Sequence, residues 1–253
     1  MTTTTTVQLS APVNLRDLGG IPIAGGVLRE GFAIRVDDLS TVTEEVAATL
    51  VAGGLRSVID LRSREEVALT GRGPLAQHPV AYHHIPLMVS LDVALTEDDG
   101  LGTDHTTFGE GYARLVERAA PQLVTALAVI ALSPGATAFH CAAGKDRTGV
   151  LAASLLLALG ASDEDVVADY ALTGRNIDAI MTRLRPTMGV LMARAGLDLD
   201  AMAAAATGAD FSDEAMRTMI TSLRIRHGDP LAPLRAAGLG DELTAMLRGR
   251  ALA

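Results

Sequence analysis

The stretch GATAFHCAAGKDRTGVLAASLLLALG, residues 135–160, decides how this chain is read. Its first six residues form an apolar run with the length of a buried strand, and residues 148–160 carry the leucines and alanines of a buried helix. Residues 141–147 are therefore a turn from strand to helix. Such a turn gathers the unpaired N–H groups of a helix start and the positive end of the helix dipole at one point. An anion binds there. Cys141, the only cysteine in 253 residues, opens that turn. The same field favours its thiolate, and Lys145 and Arg147 add charge in the same direction. Arg147 follows the cysteine by six positions, where its planar fork can clamp two oxygens of a phosphoryl group. The backbone of Ala142, Ala143, Gly144, Lys145, Asp146 and Arg147 would hold the same group. Lys145 supplies a second, more flexible charge, Gly144 permits a backbone conformation that a side chain would obstruct, and Thr148 offers a hydroxyl to the sulfur. A lone cysteine is often only a small buried hydrophobe. That reading leaves Gly, Lys, Asp, Arg and Thr in this order without a purpose.

Around this core the chain alternates strand and helix. Residues 27–36 contain a strand, 43–52 a helix capped by Thr43 with Glu44 and Glu45 in its first turn, 57–61 a buried strand and 80–85 another. Residues 88–108 are acidic and aperiodic and read as a long surface loop. A helical pattern over 108–132 is interrupted near Pro121. The order predicts an α/β fold, with a largely parallel central sheet, helices on both faces and the site at the carboxyl ends of the strands. After Gly160, Ser162 caps an acidic helix start, residues 176–184 form a helix that Pro186 should end, and 187–225 keep helical spacing. Residues 162–225 read as a helical elaboration or lid over the loop, with methionines on its underside. Residues 1–10 read as a disordered tail and 229–253 as helices packed back on a single domain spanning 1–253.

Composition fits a soluble enzyme. Nearly half the chain is hydrophobic, enough for a sizeable core. A formal charge of −9 argues against nucleic acid or an anionic membrane as a bulk partner. A single cysteine excludes an intrachain disulfide and fits a reducing, cytoplasmic setting. The threonine-rich start lacks the basic and apolar stretches of a signal peptide, and the apolar run 150–159 is too short to span a bilayer.

The segment HCAAGKDRTG, residues 140–149, resembles the signature loop of the cysteine-dependent protein tyrosine phosphatase superfamily. Its Gly-Lys-Asp-Arg-Thr-Gly form is similar to that of the bacterial tyrosine/serine phosphatase family, of the mycobacterial phosphatase B type. Residues 14–20 (NLRDLGG) and 58–66 (VIDLRSREE) resemble two further segments of that family. The resemblance implies a protein tyrosine phosphatase-like fold, phosphomonoester hydrolysis through a phosphocysteine, and no metal or cofactor. It also implies phosphotyrosine protein substrates, with phosphoserine, phosphothreonine or phosphoinositides as extensions, and inorganic phosphate as product. The loop lysine is similar to that of lipid phosphatases. Arg35-Val36 departs from the family's Arg-Ser pair, and with no tryptophan the chain has no Trp-Pro-Asp loop to supply a general acid.

Another residue must therefore protonate the leaving oxygen. Asp60, at the end of a strand and expected to face the crevice, is the first choice, and Asp146, within the loop, is the second. Asp60 read as a structural carboxylate would pair Arg147 or Arg62. His140 is expected to orient the loop by hydrogen bonds, and Asn14, Arg16 and Asp17 to buttress it. Two other classes share the cysteine loop: a rhodanese-like sulfurtransferase and a catalytically silent phosphate-binding module.

Overall fold

The computed structural model describes residues 8–88, 105–194 and 211–252. Short strands β1 (Arg16–Asp17), β2 (Pro22–Ile23) and β3 (Gly26–Val27) lead to β4 (Ala33–Val36), helix α1 (Glu44–Ala52) and β5 (Leu55–Asp60). Helix α2 (Arg64–Thr70), β6 (Ala81–His84), α3 (His105–Arg118), α4 (Ala120–Leu132) and β7 (Ala136–His140) follow. The chain ends in α5 (Asp146–Leu159), α6 (Asp163–Ala171), α7 (Ile177–Arg194), α8 (Glu214–His227), α9 (Ala232–Ala236) and α10 (Asp241–Leu252).

The main sheet has five strands in the order β1-β4-β7-β5-β6. β4, β7, β5 and β6 are parallel, and β1 closes one edge antiparallel to β4. This is the largely parallel sheet expected, with β7 at its centre and all five of its residues buried. Alternation along the strands sends side chains to two separate cores. Ile59 and Phe139 join the large one under α3, α4, α5, α6 and α8, whereas Val58 and Ala138 join a smaller one on the α1 side. Helix α5 is buried nearly all round, as its continuous apolar sequence requires. It stops at Gly160, whose left-handed φ of 86° ends the helix where an added Cβ would lie 2.7 Å from Ala24.

Several boundaries differ from expectation, each for a local reason. The helical pattern over 108–132 is two helices bent by 76°, α4 restarting with Pro121 in its first turn, where the missing N–H has no helical partner to lose. Helix α7 does not end before Pro186 but carries it inside. The proline leaves the Thr182 carbonyl without its helical donor, while Arg183 pins the helix to Asp37 Oδ2 at 2.6 Å, the Asp38 carbonyl at 2.9 Å and Ser10 Oγ at 2.9 Å. Ser10 is thus built into the fold, its own amide bonding the Thr41 carbonyl at 2.9 Å, and residues 1–7 of the expected tail lie outside the described residues. Of the span 162–225 read as an elaboration or lid, α6 and α8 belong to the main core: Val166, Val167, Tyr170, Met216, Met219 and Ile220 are all buried there. Residues 195–210 of that span, and most of the acidic loop expected at 88–108, lie outside the described residues. Among the described residues no single helix is long and apolar enough to cross a membrane.

Candidate active site

Because β4, β5 and β7 run parallel, their carboxyl ends share one edge, and the segments leaving them converge there. Cys141 follows β7 directly and is 1% exposed. Seven residues on, Thr148 donates its hydroxyl to the cysteine Sγ at 3.3 Å. Helix α5 begins at Asp146, so the amides of 146–148 have no carbonyl of their own helix to bond. Gly144 has a φ of +65°, and a Cβ there would sit 2.6 Å from the Val36 carbonyl oxygen and 2.7 Å from the Asp37 nitrogen. Only glycine lets the loop lie this close to the end of β4.

Arg147 is fixed by Glu66. The carboxylate is bidentate, with Oε2 at 2.6 Å from Nη1 and Oε1 at 2.9 Å from Nη2, and the guanidinium also reaches the Leu61 carbonyl at 3.5 Å. Glu66 is itself placed by a capping box, Ser63 Oγ accepting the Glu66 amide at 3.3 Å and Glu66 Oε2 accepting the Ser63 amide at 2.6 Å. Burial pushes the Glu66 carboxyl up, but the charge of Arg147 and its hydrogen bonds outweigh this and hold it below the usual carboxylate range.

Asp60, expected to face the crevice, is locked in a buried pairing instead. Its carboxylate is fully buried and accepts from Arg62 Nε at 2.9 and 3.1 Å, Arg62 Nη2 at 2.6 Å and Tyr82 Oη at 2.8 Å. This is the structural pairing with Arg62. Burial alone would raise its pKa, but His140, 3.7 Å away, and Arg62 drive it far below the ordinary value. Both carboxylate oxygens are thus occupied, one by Arg62 and the other by Arg62 and Tyr82. Arg62 continues to Asp38, Ser40 and Thr70, so this cluster ties the ends of β4 and β5 together beneath the loop.

Asp146 is placed differently. Its side chain is 41% exposed, its Oδ1 lies 3.4 Å from Lys145 Nζ, and the Tyr112 hydroxyl donates to the same oxygen. The atoms packed around it raise its pKa by displacing water, but Lys145, the Tyr112 hydrogen bond and Arg147 together hold it below the usual value. Lys145 also lies over the ring of Phe108, 5.2 Å from its centroid, and its pKa is raised chiefly by Asp146.

The expected supports fall into two groups. His140 Nδ1 lies 3.0 Å from the Cys141 carbonyl and 3.4 Å from the Leu39 amide, and so touches the loop at its root. Asn14 Nδ2 donates to the Gly144 carbonyl at 3.0 Å, and Arg16 Nη1 holds Asn14 Oδ1 at 2.7 Å. Asp17 does not reach the loop: it accepts the amides of Gly19 and Gly31, both at 2.7 Å, and shapes the turn around β1. In its place stand residues outside the expected set. Arg35, fully buried, donates to the same Gly144 carbonyl at 3.0 Å and to Asp169 Oδ2 at 2.5 Å. Asp169 also accepts Arg16 Nε at 2.8 Å, so α6, β1 and β4 all brace one loop carbonyl. The signal available for Glu66 was its spacing of three from Ser63. For Asp169 and Tyr112 no local pattern marks the role.

A cysteine at the root of a strand-to-helix turn, with an arginine held by a carboxylate at the carboxyl edge of a parallel sheet, is the arrangement that the resemblance to cysteine-dependent phosphatases implies. Residues 7–253 match the tyrosine phosphatase family, and the chain belongs to it. It is 28% identical to the triple specificity protein phosphatase PtpB of Mycobacterium tuberculosis over 206 residues, covering 70% of this chain and 72% of that protein. With a tyrosine-protein phosphatase of Nostoc commune it shares 32% identity over 150 residues, 57% of this chain, and there it spans only about half (49%) of the relative's length. A crystal structure of P. aeruginosa TpbA, a cysteine-to-serine variant in complex with phosphotyrosine, superposes with a TM-score of 0.33 at 15% identity, covering 83% of this chain and 100% of that one. That likeness is too loose to bear on the assignment.

Proposed function

We propose that the chain hydrolyses phosphotyrosine in proteins through a phosphocysteine intermediate and extends to phosphoserine, phosphothreonine or phosphoinositides. The observation that carries this reading is the single constellation of Cys141 Sγ, the Thr148 hydroxyl 3.3 Å from it and Arg147 held bidentate by Glu66. The Cys141 thiolate attacks phosphorus in line with the ester oxygen, so an S–P bond forms as the P–O bond breaks. Loop amides, Arg147 and Lys145 stabilise the charge on the equatorial oxygens. The departing alkoxide or phenoxide takes a proton from Asp146. Water then attacks the phosphocysteine and yields its proton to the Asp146 carboxylate, while the sulfur leaves as thiolate beside the Thr148 hydroxyl and inorganic phosphate departs.

Asp146 is ionised in the free enzyme and must be protonated to act. The phosphoryl dianion brings like charge into the same loop, which drives the carboxyl's pKa up, so that substrate and proton are taken up together. Asp60 lacks this property because its charge is matched by Arg62 whether or not substrate is present. Breadth of substrate is supported by Lys145 as an extra cation in the loop and by the triple specificity named for the mycobacterial relative. The lone buried thiol suits a reducing compartment, the basis for a cytoplasmic assignment. Parallel assays of aryl phosphate hydrolysis, thiosulfate:cyanide transfer and phosphate binding test the reading. Hydrolysis lost in Cys141→Ser, with vanadate still bound, is the expected result. Sulfur transfer without phosphate release, or binding without turnover in the wild type, would overturn it.

A further inference from the structure

Tyr112 and Tyr170 are two of the chain's three tyrosines, and both lie beside the site with their hydroxyls buried. Tyr112, on α3, donates to Asp146 Oδ1, and the two tyrosine hydroxyls are 2.9 Å apart. Each phenol has one proton. Since that of Tyr112 is committed to the carboxylate, the proton between the two tyrosines must come from Tyr170. The result is a one-way chain, Tyr170 to Tyr112 to Asp146, in which each donor strengthens the next.

The chain is held rigidly. The two rings meet edge to face, with centroids 6.1 Å apart, and Phe211 stacks on the far side of Tyr170 at 5.2 Å. On its near side Tyr170 lies against Gly149, where an added Cβ would come within 3.1 Å of the ring. The glycine that closes the loop motif therefore makes room for Tyr170 against α5. The charged and titratable groups facing Asp146 are Lys145 and Arg147 from its own loop and helix, Tyr112 from α3 and Tyr170 from α6. Burial first, and the neighbouring Asp146 second, keep Tyr112 protonated well above its ordinary range, so its proton stays available to Asp146.

We propose that Tyr112, backed by Tyr170, is a positioning residue: its hydroxyl fixes the orientation of the Asp146 carboxylate and sets the pH at which that carboxylate passes its proton to the leaving oxygen. The proposal rests on Asp146 being the acid. A hydrogen bond donated to the ionised form disfavours protonation, so its removal must raise the pH up to which the acid works.

The test is the pH dependence of kcat/KM for a phosphate monoester with a poor leaving group, in the wild type, Asp146→Asn, Tyr112→Phe and Tyr170→Phe, each first shown to be folded by circular dichroism. Asp146→Asn should lose the basic limb. Tyr112→Phe should keep it but move it upward by about one pH unit, the size expected for one hydrogen bond to a carboxylate. Tyr170→Phe should move it the same way by less, and it carries the test if Tyr112→Phe does not accumulate as folded protein. A basic limb lost in Asp146→Asn but unmoved in both tyrosine variants would overturn the positioning role alone. A basic limb retained in Asp146→Asn would remove Asp146 as the acid, and the role of Tyr112 with it.

Discussion

Glu66 grips Arg147 with both carboxylate oxygens, at 2.6 and 2.9 Å, and both side chains are nearly excluded from water. The arginine proposed to clamp the phosphoryl group is thus set in place before any substrate arrives. Binding energy need not be spent on ordering it.

Replacing Glu66 with alanine leaves a buried guanidinium without its partner, which should cost about 3 kcal/mol of stability or more. Activity should fall roughly a hundredfold as the clamp loses its orientation. The pH dependence follows from the lowered carboxyl of Glu66. Because its folded pKa lies below the unfolded value, its contribution is present above the unfolded carboxylate range and is lost as pH falls through the folded value. Urea unfolding of wild type and Glu66→Ala should therefore differ most near neutrality and converge in acid.

Asp60 separates a structural carboxylate from a catalytic one. Asp60→Asn should destabilise the fold by about 3 kcal/mol, since Arg62 is buried against it. The position of the basic limb of the rate profile should not change. A lost basic limb in Asp60→Asn with full stability would restore Asp60 as the acid.

Thr148→Val removes the hydroxyl 3.3 Å from the cysteine Sγ while keeping the side chain's size. The thiolate then leaves phosphorus without its hydrogen bond, so hydrolysis of the intermediate should slow by roughly tenfold. Stopped-flow with an aryl phosphate should show a burst of phenol release followed by a slower steady state. A uniform slowing without a burst would place the hydroxyl's effect before the intermediate.

Gly144→Ala forces a side chain onto a backbone with φ of +65° and into the Val36 carbonyl. The loop must shift, and activity should fall by about a hundredfold or more for a displacement near 1 Å. Phosphate or vanadate affinity, measured by titration calorimetry, should fall with it.

Much of this was legible in the sequence because the informative residues are local. Residues 135–160 hold strand, loop and helix in one continuous pattern, although the helix begins at Asp146 rather than at Thr148 and so takes in Arg147. What failed depended on how the fold orients and pairs side chains. Asp60 does end a strand at the correct edge, but Arg62, two positions on, captures its carboxylate, and only the fold shows which way the pair turns. Tyr112 and Asp169 reach the site from helices that, read singly, are ordinary amphipathic segments. The methionines of α8 suggested an adaptable underside, whereas the helix packs them into the core against α3 and α6. Pro186 marked a helix end because a proline breaks the ladder locally. The cross-links made by Arg183 over 146 positions could not be read beside it.

The central claim is that Cys141 carries the phosphoryl group. Acid quenching during turnover of a phosphotyrosine substrate, followed by peptide mass spectrometry, measures this directly, and Thr148→Val is the variant in which the intermediate should accumulate. The expected result is a peptide containing Cys141 heavier by one phosphoryl group, absent from Cys141→Ser. Turnover with the phosphoryl group on another residue, or undiminished turnover in Cys141→Ser, would contradict the account.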